Sequence, residues 1–120
     1  MIISFASLDG IHANQHFGWC EKFYMYNVDE NESFFIKEID SSLKYDDEVD
    51  KLEYKINCIQ NSDIVCVSQI GPKAANLVQQ FGIYPMRSNE EKIEDILKSL
   101  QNIIRNNPPL WLQRILVRAG

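Results

Sequence analysis

Paired cysteines, long apolar runs and a basic leader are all missing from this sequence. Its three cysteines, Cys20, Cys58 and Cys66, are an odd number and contain no C-x-x-C pair. We therefore expect reduced thiols, with neither a disulfide framework nor a structural zinc site. No apolar run approaches the roughly 18 residues of a membrane-spanning helix. The apolar start, 1–6, is too short for a signal peptide. A cytoplasmic protein with no membrane partner is expected.

Basic residues are also in short supply. The 120 residues include 17 Asp and Glu against 12 Lys and Arg, a formal net charge of −5. A nucleic-acid-binding protein needs a basic surface that displaces the counterions of phosphate groups. The composition therefore argues against nucleic acid as a partner, although an anion site can still be built locally. With 45% hydrophobic residues, a chain of this length is expected to fold as a single domain.

The succession of apolar patterns predicts an α/β domain. Alternating or continuous apolar runs predict strands, and apolar residues at helical spacing predict helices. Ser88, followed three residues later by Glu91, fits a capping box that would start the last helix. The expected fold is a mixed five-stranded sheet flanked by helices, in the order β-β-β-α-β-α-β-α. The predicted elements are strands at 2–7, 22–28 and 34–39, a helix from 47, a strand at 64–68, a helix from 71, a short strand at 83–86 and a helix ending near 107.

Two loops of this fold are expected to meet. The strand at 64–68 should lie parallel to the first strand, so the loops 8–21 and 69–73 would leave the same edge of the sheet. Ligands of open α/β sheets bind at this carboxyl edge. The triplet Gly71-Pro72-Lys73 is ordinary strand-to-helix turn chemistry or, alternatively, an anion site at a helix N-terminus. Lys73 opposes the helix dipole there, which favours a bound anion.

The loop 8–21 contains the residues best suited to hold a metal assembly. His16 and Cys20 offer imidazole and thiolate, which suit iron and other transition metals. Gly10 and Gly18 would let the backbone approach a bulky ligand closely. A loop histidine is more often a plain surface residue, and a nearby cysteine is often packing. From the residues alone, both interpretations stay open.

Motifs along nearly the whole chain resemble those of one family. They are Ser7-x-Asp9-Gly10, Asn14-Gln15-His16-Phe17-Gly18, the stretch 50–56, Ile70-Gly71-Pro72, Phe81-Gly82-Ile83-Tyr84-Pro85 and the tail 107–116. This set resembles the dinitrogenase iron-molybdenum cofactor biosynthesis family, which includes NifX-type carriers, the C-terminal region of NifB-type proteins and the NafY core domain. The tail resembles the NifX-type branch. One departure is Ser62, where family members often have cysteine.

The resemblance implies a fold, a cargo and a site. The fold would be ribonuclease-H-like, and the protein would be a carrier rather than an enzyme. Its cargo would be an iron-sulfur precursor of the iron-molybdenum cofactor, or the finished cofactor. Its partners would be NifB-type and NifEN-type assembly proteins or apo-dinitrogenase. His16 would be a metal ligand by the family pattern, and Cys20 a second candidate ligand peculiar to this sequence. The expected cofactor-binding residues are Asp9, Gly10, Asn14, His16, Phe17, Gly18, Gly71, Pro72 and Lys73.

The sequence also predicts how the chain is divided, and it leaves two alternative functions open. Residues 1–107 would form the cofactor-binding domain, and the tail 108–120 would dock a partner or pack back on the domain, since Trp and Arg are common interface anchors. A cluster-free interaction or regulatory protein of nitrogen fixation is one alternative. A metal-dependent nuclease is the other, although the strand at 64–68 ends in Ser68-Gln69 without a carboxylate and fold alone does not establish function.

Overall fold

The computed structural model describes residues 1–119, across which the chain forms five strands and four helices. The sheet has the order β3-β2-β1-β4-β5. Strands β1, β2 and β3 are antiparallel neighbours, whereas β4 is parallel to β1 and β5 is parallel to β4. The predicted mixed five-stranded α/β domain is confirmed. The elements are β1 (Ile2–Ala6), β2 (Lys22–Val28), β3 (Ser33–Asp40), α1 (Glu48–Cys58), β4 (Ile64–Val67), α2 (Pro72–Gln80), β5 (Tyr84–Arg87), α3 (Ile93–Arg105) and α4 (Leu110–Ala119).

Helices cover both faces of the sheet, so the central strands are buried on both sides. On one face Ala6 and Val65 belong to a core that includes residues of α1 and α2. On the other, Phe5 and Cys66 pack with residues of α3 and α4. Strands covered on both faces need apolar side chains at successive positions. That requirement explains why Cys66, which is fully buried, behaves as a small core residue.

The starts of α1 and α2 follow from their sequences. Asp47 caps α1, because its side chain accepts a hydrogen bond of 3.0 Å from the backbone N–H of Asp50. Pro72 opens α2 directly after Gly71, at a position where the missing N–H of proline removes no helical hydrogen bond. Both starts were predicted from the sequence.

The predicted capping box does not start α3. Ser88 and Glu91 do bond to each other, but the helix begins at Ile93. The reason is tertiary pairing: the backbone N–H of Ala13 donates to the carbonyl of Glu91 (2.9 Å), and the N–H of Ile93 donates to that of Ile11 (2.8 Å). These bonds pair Glu91 and Lys92 with the loop 8–21, so the helix starts later than the local signal indicates.

The tail forms a helix that the sequence analysis missed. The carbonyl of Pro109 accepts hydrogen bonds from the N–H groups of Leu112 and Gln113, which fixes the first turn of α4. Leu112 is fully buried, and the ring of Trp111 stacks on Tyr84 with centroids 4.1 Å apart. This part of the tail therefore packs on the domain. Partner docking by residues 108–120 stays a prediction. No helix of residues 1–119 has the length and apolar character needed to cross a membrane.

Candidate functional site

The loops after β1 and β4 lie side by side, as predicted. His16 forms an isolated parallel bridge with Gln69. The backbone N–H of Phe17 donates to the carbonyl of Gln69 (2.9 Å), and the N–H of Ser68 donates to that of Gln15 (3.0 Å). These bonds extend the parallel pairing of β1 and β4 beyond the ends of the strands. His16 therefore sits at the carboxyl edge of the sheet, where ligands of α/β proteins bind.

Asp9 shapes the loop between β1 and His16. One oxygen of its carboxylate accepts hydrogen bonds from the backbone N–H groups of Ile11 and His12 (2.9 and 2.8 Å), and the other lies 2.8 Å from Nδ1 of His12. The bond from the His12 backbone, followed by the bond from its ring, lowers the pKa of Asp9 below its usual range. Both carboxylate oxygens are thus engaged within the loop.

Three more of the predicted residues shape this loop. Gly10 has a φ of +73°, in the left-handed region that glycine adopts without steric cost. The side-chain oxygen of Asn14 accepts a hydrogen bond of 3.0 Å from the N–H of Leu8. Phe17 is fully buried beside Phe23. Together with Asp9, these residues shape the loop that contains His16, and their contact with a cargo remains a prediction.

His16 is half-buried, and one of its ring nitrogens is occupied. Its Nδ1 accepts a hydrogen bond of 3.2 Å from the backbone N–H of Gly18. An accepting Nδ1 places the proton of the neutral ring on Nε2. Nε2 is therefore the nitrogen through which this ring can reach an outside ligand, as a donor now or as a metal ligand after its proton has moved.

The space next to His16 is bounded by residues that sequence analysis missed. The position that a Cβ on Gly18 would take lies 3.8 Å from Nδ1 of His16 and 3.6 Å from Nζ of Lys51. The same ammonium lies 5.0 Å from the ring centroid of Trp19, whose side chain is 70% exposed. Lys51 belongs to α1, and its place beside the loop depends on packing that no local pattern reveals.

Cys20 does not face this space. It is fully buried in the core on the α1 side of the sheet, and its thiol donates to the carbonyl of Phe17 (3.2 Å). Burial raises the pKa of the Cys20 thiol to about 11, so the thiolate that a metal needs is disfavoured. The prediction that Cys20 is a second ligand gains no support from this geometry.

A buried lysine fixes the end of the loop. Nζ of Lys55, only 4% exposed, donates hydrogen bonds to the carbonyl of Cys20 and to that of Ser41 (2.6 Å). Lys55 lies one turn after Lys51 on α1. The helix therefore ties together the end of the loop 8–21 and the end of β3, and it presents Lys51 to the same loop.

The start of α2 borders the site from the β4 side. Gly71 follows Gln69 by two residues, so their Cα atoms lie within about 7 Å of each other. Within residues 1–119, no side chain caps this helix N-terminus and no atom lies within 4 Å of a Cβ built on Gly71. The first N–H groups of α2 thus have no side-chain acceptor, and anion binding by Gly71, Pro72 and Lys73 stays a prediction.

The donor set near His16 is small. Among the described residues, no group of three or more His, Cys, Asp and Glu side chains is arranged to hold a metal ion. A hollow of about 480 Å³ lies elsewhere, between Gly10, Tyr26 and the start of α3. His16, which is half-buried, does not line this hollow. This arrangement suits a preformed assembly that needs one protein ligand, rather than a bare ion that needs several.

The same architecture recurs in a solved structure. The crystal structure of PH0822 superimposes with a TM-score of 0.68 at 18% sequence identity, covering 85% of this chain and 91% of that one. At this identity the likeness supports the α/β fold alone.

Sequence comparisons are more specific. A sequence model described as "Dinitrogenase iron-molybdenum cofactor" matches residues 1–103. Protein NifX of Herbaspirillum seropedicae is 31% identical over 122 residues, which covers 99% of this chain and 84% of the relative. Protein NifX of Azotobacter vinelandii is 28% identical, covering 98% of this chain and 75% of the relative. The chain therefore belongs to the dinitrogenase iron-molybdenum cofactor family.

Proposed function

We propose that this chain carries an iron-sulfur precursor of the nitrogenase cofactor, or the finished iron-molybdenum cofactor, and binds it through His16. Membership of the family supports a role in nitrogenase cofactor biosynthesis. The observation that carries the proposal is the half-buried imidazole at the carboxyl edge, where the loops after β1 and β4 are hydrogen-bonded together. The protein acts as a carrier rather than a catalyst.

The chemistry of the imidazole fits a cargo that must later be released. Metal coordination through Nε2 moves the ring proton to Nδ1, which breaks the hydrogen bond from Gly18. Forming the metal bond therefore costs one existing contact, which weakens the net binding. A preassembled cluster brings its own sulfides and needs few protein ligands. The open N–H groups of α2, near Gly71 and Lys73, then face part of its negative charge.

Delivery is the second half of this proposal. The loaded chain receives its cargo from NifB-type or NifEN-type assembly proteins and passes it on to them or to apo-dinitrogenase. An open site with one ligand lets an acceptor attack the cluster while it is still bound. If loaded protein is mixed with apo-dinitrogenase and the two are separated again, molybdenum should move to the acceptor. No movement would contradict delivery but not binding.

The test of binding compares the two histidines of the same loop. We expect His16→Ala to lower the affinity for isolated iron-molybdenum cofactor by about tenfold or more, as loss of a metal-site contact does. His12→Ala is the matched control, because it removes an imidazole but keeps the backbone bond to Asp9. The measurement is iron and molybdenum in the protein fraction after anaerobic mixing and gel filtration. Equal metal in the His16→Ala and wild-type fractions would overturn the assignment.

A further inference from the structure

Lys51 is held beside His16 by three separate features. Its Nζ lies 3.6 Å from the Cβ position of Gly18, so the missing side chain of that glycine leaves room for it. Its ammonium packs over the ring of Trp19. Its carboxylate partner, Glu48, lies 3.0 Å away, one turn earlier on α1. A flexible side chain is thereby fixed at one place on the surface.

A second lysine pair shows how unusual this arrangement is. Lys98 and Glu94 on α3 form a similar pair at 3.1 Å, but the Lys98 side chain is 68% exposed, against 21% for Lys51. An exposed pair of that kind is an ordinary solvated contact. Lys51 instead keeps its charge partly shielded from water, where it acts more strongly on a neighbouring anion. Its Nζ and the imidazole of His16 both lie within 4 Å of the Cβ position of Gly18, so an anion bound by the imidazole would be within reach of the ammonium.

We propose that Lys51 is a second cargo-binding residue, which donates a hydrogen bond to the anionic metal-sulfide cluster held by His16 and exchanges Glu48 for that cluster on binding. The inference rests on the proposed function and adds to it a charge requirement for the cargo. Glu48 competes with the cargo for the ammonium. The ring of Trp19 forms the outer side of the same space, so its fluorescence reports on occupancy.

The competition predicts opposite effects for the two partners. Lys51→Met removes the charge and nearly keeps the shape, and we expect about fivefold to tenfold weaker binding of isolated iron-molybdenum cofactor. Glu48→Gln frees the ammonium, and we expect binding about threefold tighter. Lys51→Arg keeps the charge, so we expect it to bind the cofactor more tightly than Lys51→Met but less tightly than the wild type. A variant that binds more tightly cannot be explained by poor folding. Salt should weaken binding less in Lys51→Met than in the wild type.

The experiment is an anaerobic titration followed by Trp19 fluorescence, with Trp111→Phe in every variant to remove the second tryptophan signal. Lys98→Met and Glu94→Gln are the charge-matched controls and should bind as the parent does. If Lys51→Met and Lys98→Met bind equally, the Lys51 assignment is overturned; the proposed function still stands when His16→Ala loses the cargo. A parent protein that retains no cargo overturns both.

Discussion

Replacing Gly18 with alanine would place one methyl group between the imidazole of His16 and the ammonium of Lys51. The new carbon would lie 3.8 and 3.6 Å from these two side chains, which are ordinary van der Waals distances. The positive φ values among the glycines of residues 1–119 belong to Gly10 and Gly82, so alanine at position 18 adopts the existing backbone without strain. The unfolded chain also loses freedom, which stabilises the fold by about 0.4–1 kcal/mol.

The same methyl group should impair binding. Under the proposals above, a cluster bound by both His16 and Lys51 would lie close to Gly18, where the new methyl group contacts both side chains. We expect about tenfold weaker cargo binding, which corresponds to about 1.4 kcal/mol. Stability and function should therefore move in opposite directions in Gly18→Ala. Urea denaturation measures the first quantity, and anaerobic titration with isolated iron-molybdenum cofactor measures the second.

Gly10→Ala is the contrasting variant. Its φ of +73° disfavours any side chain, and the new carbon would lie 3.0 Å from Cε1 of Tyr24. We expect it to destabilise the fold by about 1–3 kcal/mol, from the left-handed backbone and the crowding together. The reasoning about Gly18 would be refuted if Gly18→Ala bound cargo as tightly as the wild type, or if it lost as much stability as Gly10→Ala.

Two further predictions concern the tail and the loop. Leu112→Ala should destabilise the whole domain by about 2–5 kcal/mol. Val117→Ala, at an exposed position, should change the free energy of unfolding by less than about 0.5 kcal/mol. Equal urea midpoints for the two variants would show that the tail does not share the core. Because the folded-state pKa of Asp9 is lowered, its stabilising contribution is present above the unfolded pKa of about 3.9 and is lost as the pH falls through the folded value. Asp9→Asn should therefore lose less stability than the wild type between pH 7 and pH 3 in urea denaturation, and parallel losses would contradict this.

Much of the fold could be predicted because its signals are local. Strand β2 follows from alternation, with β3 as the second arm of its hairpin, and the buried β4 from a continuous apolar run. The start of α3 could not be predicted, because hydrogen bonds with the loop 8–21 hold residues 91 and 92 outside the helix despite the Ser88 capping signal. The helix α4 was missed because its first turn depends on a proline carbonyl and its apolar face on distant core residues.

The candidate site, too, could be predicted only in part. Parallel pairing of β1 and β4 placed His16 near Gly71 from sequence order alone. The burial of Cys20 could not be seen, because a cysteine in a polar loop gives no sign of which way it turns. The approach of Lys51 to His16 could not be predicted either, because Lys51 lies near a charged helix start more than thirty residues along the chain from His16. Contacts between a loop and a helix face depend on how the domain packs.

The bonds from Lys55 to the carbonyls of Cys20 and Ser41 have a kinetic consequence. They fasten the end of the loop to α1, so under the proposed function this segment would lose little further chain entropy when a cluster binds. A binding site that is already formed can bind and release a ligand without a folding step. Its exchange rate would then be set by breaking the bond between imidazole and metal, which allows a waiting acceptor to draw off the cluster quickly.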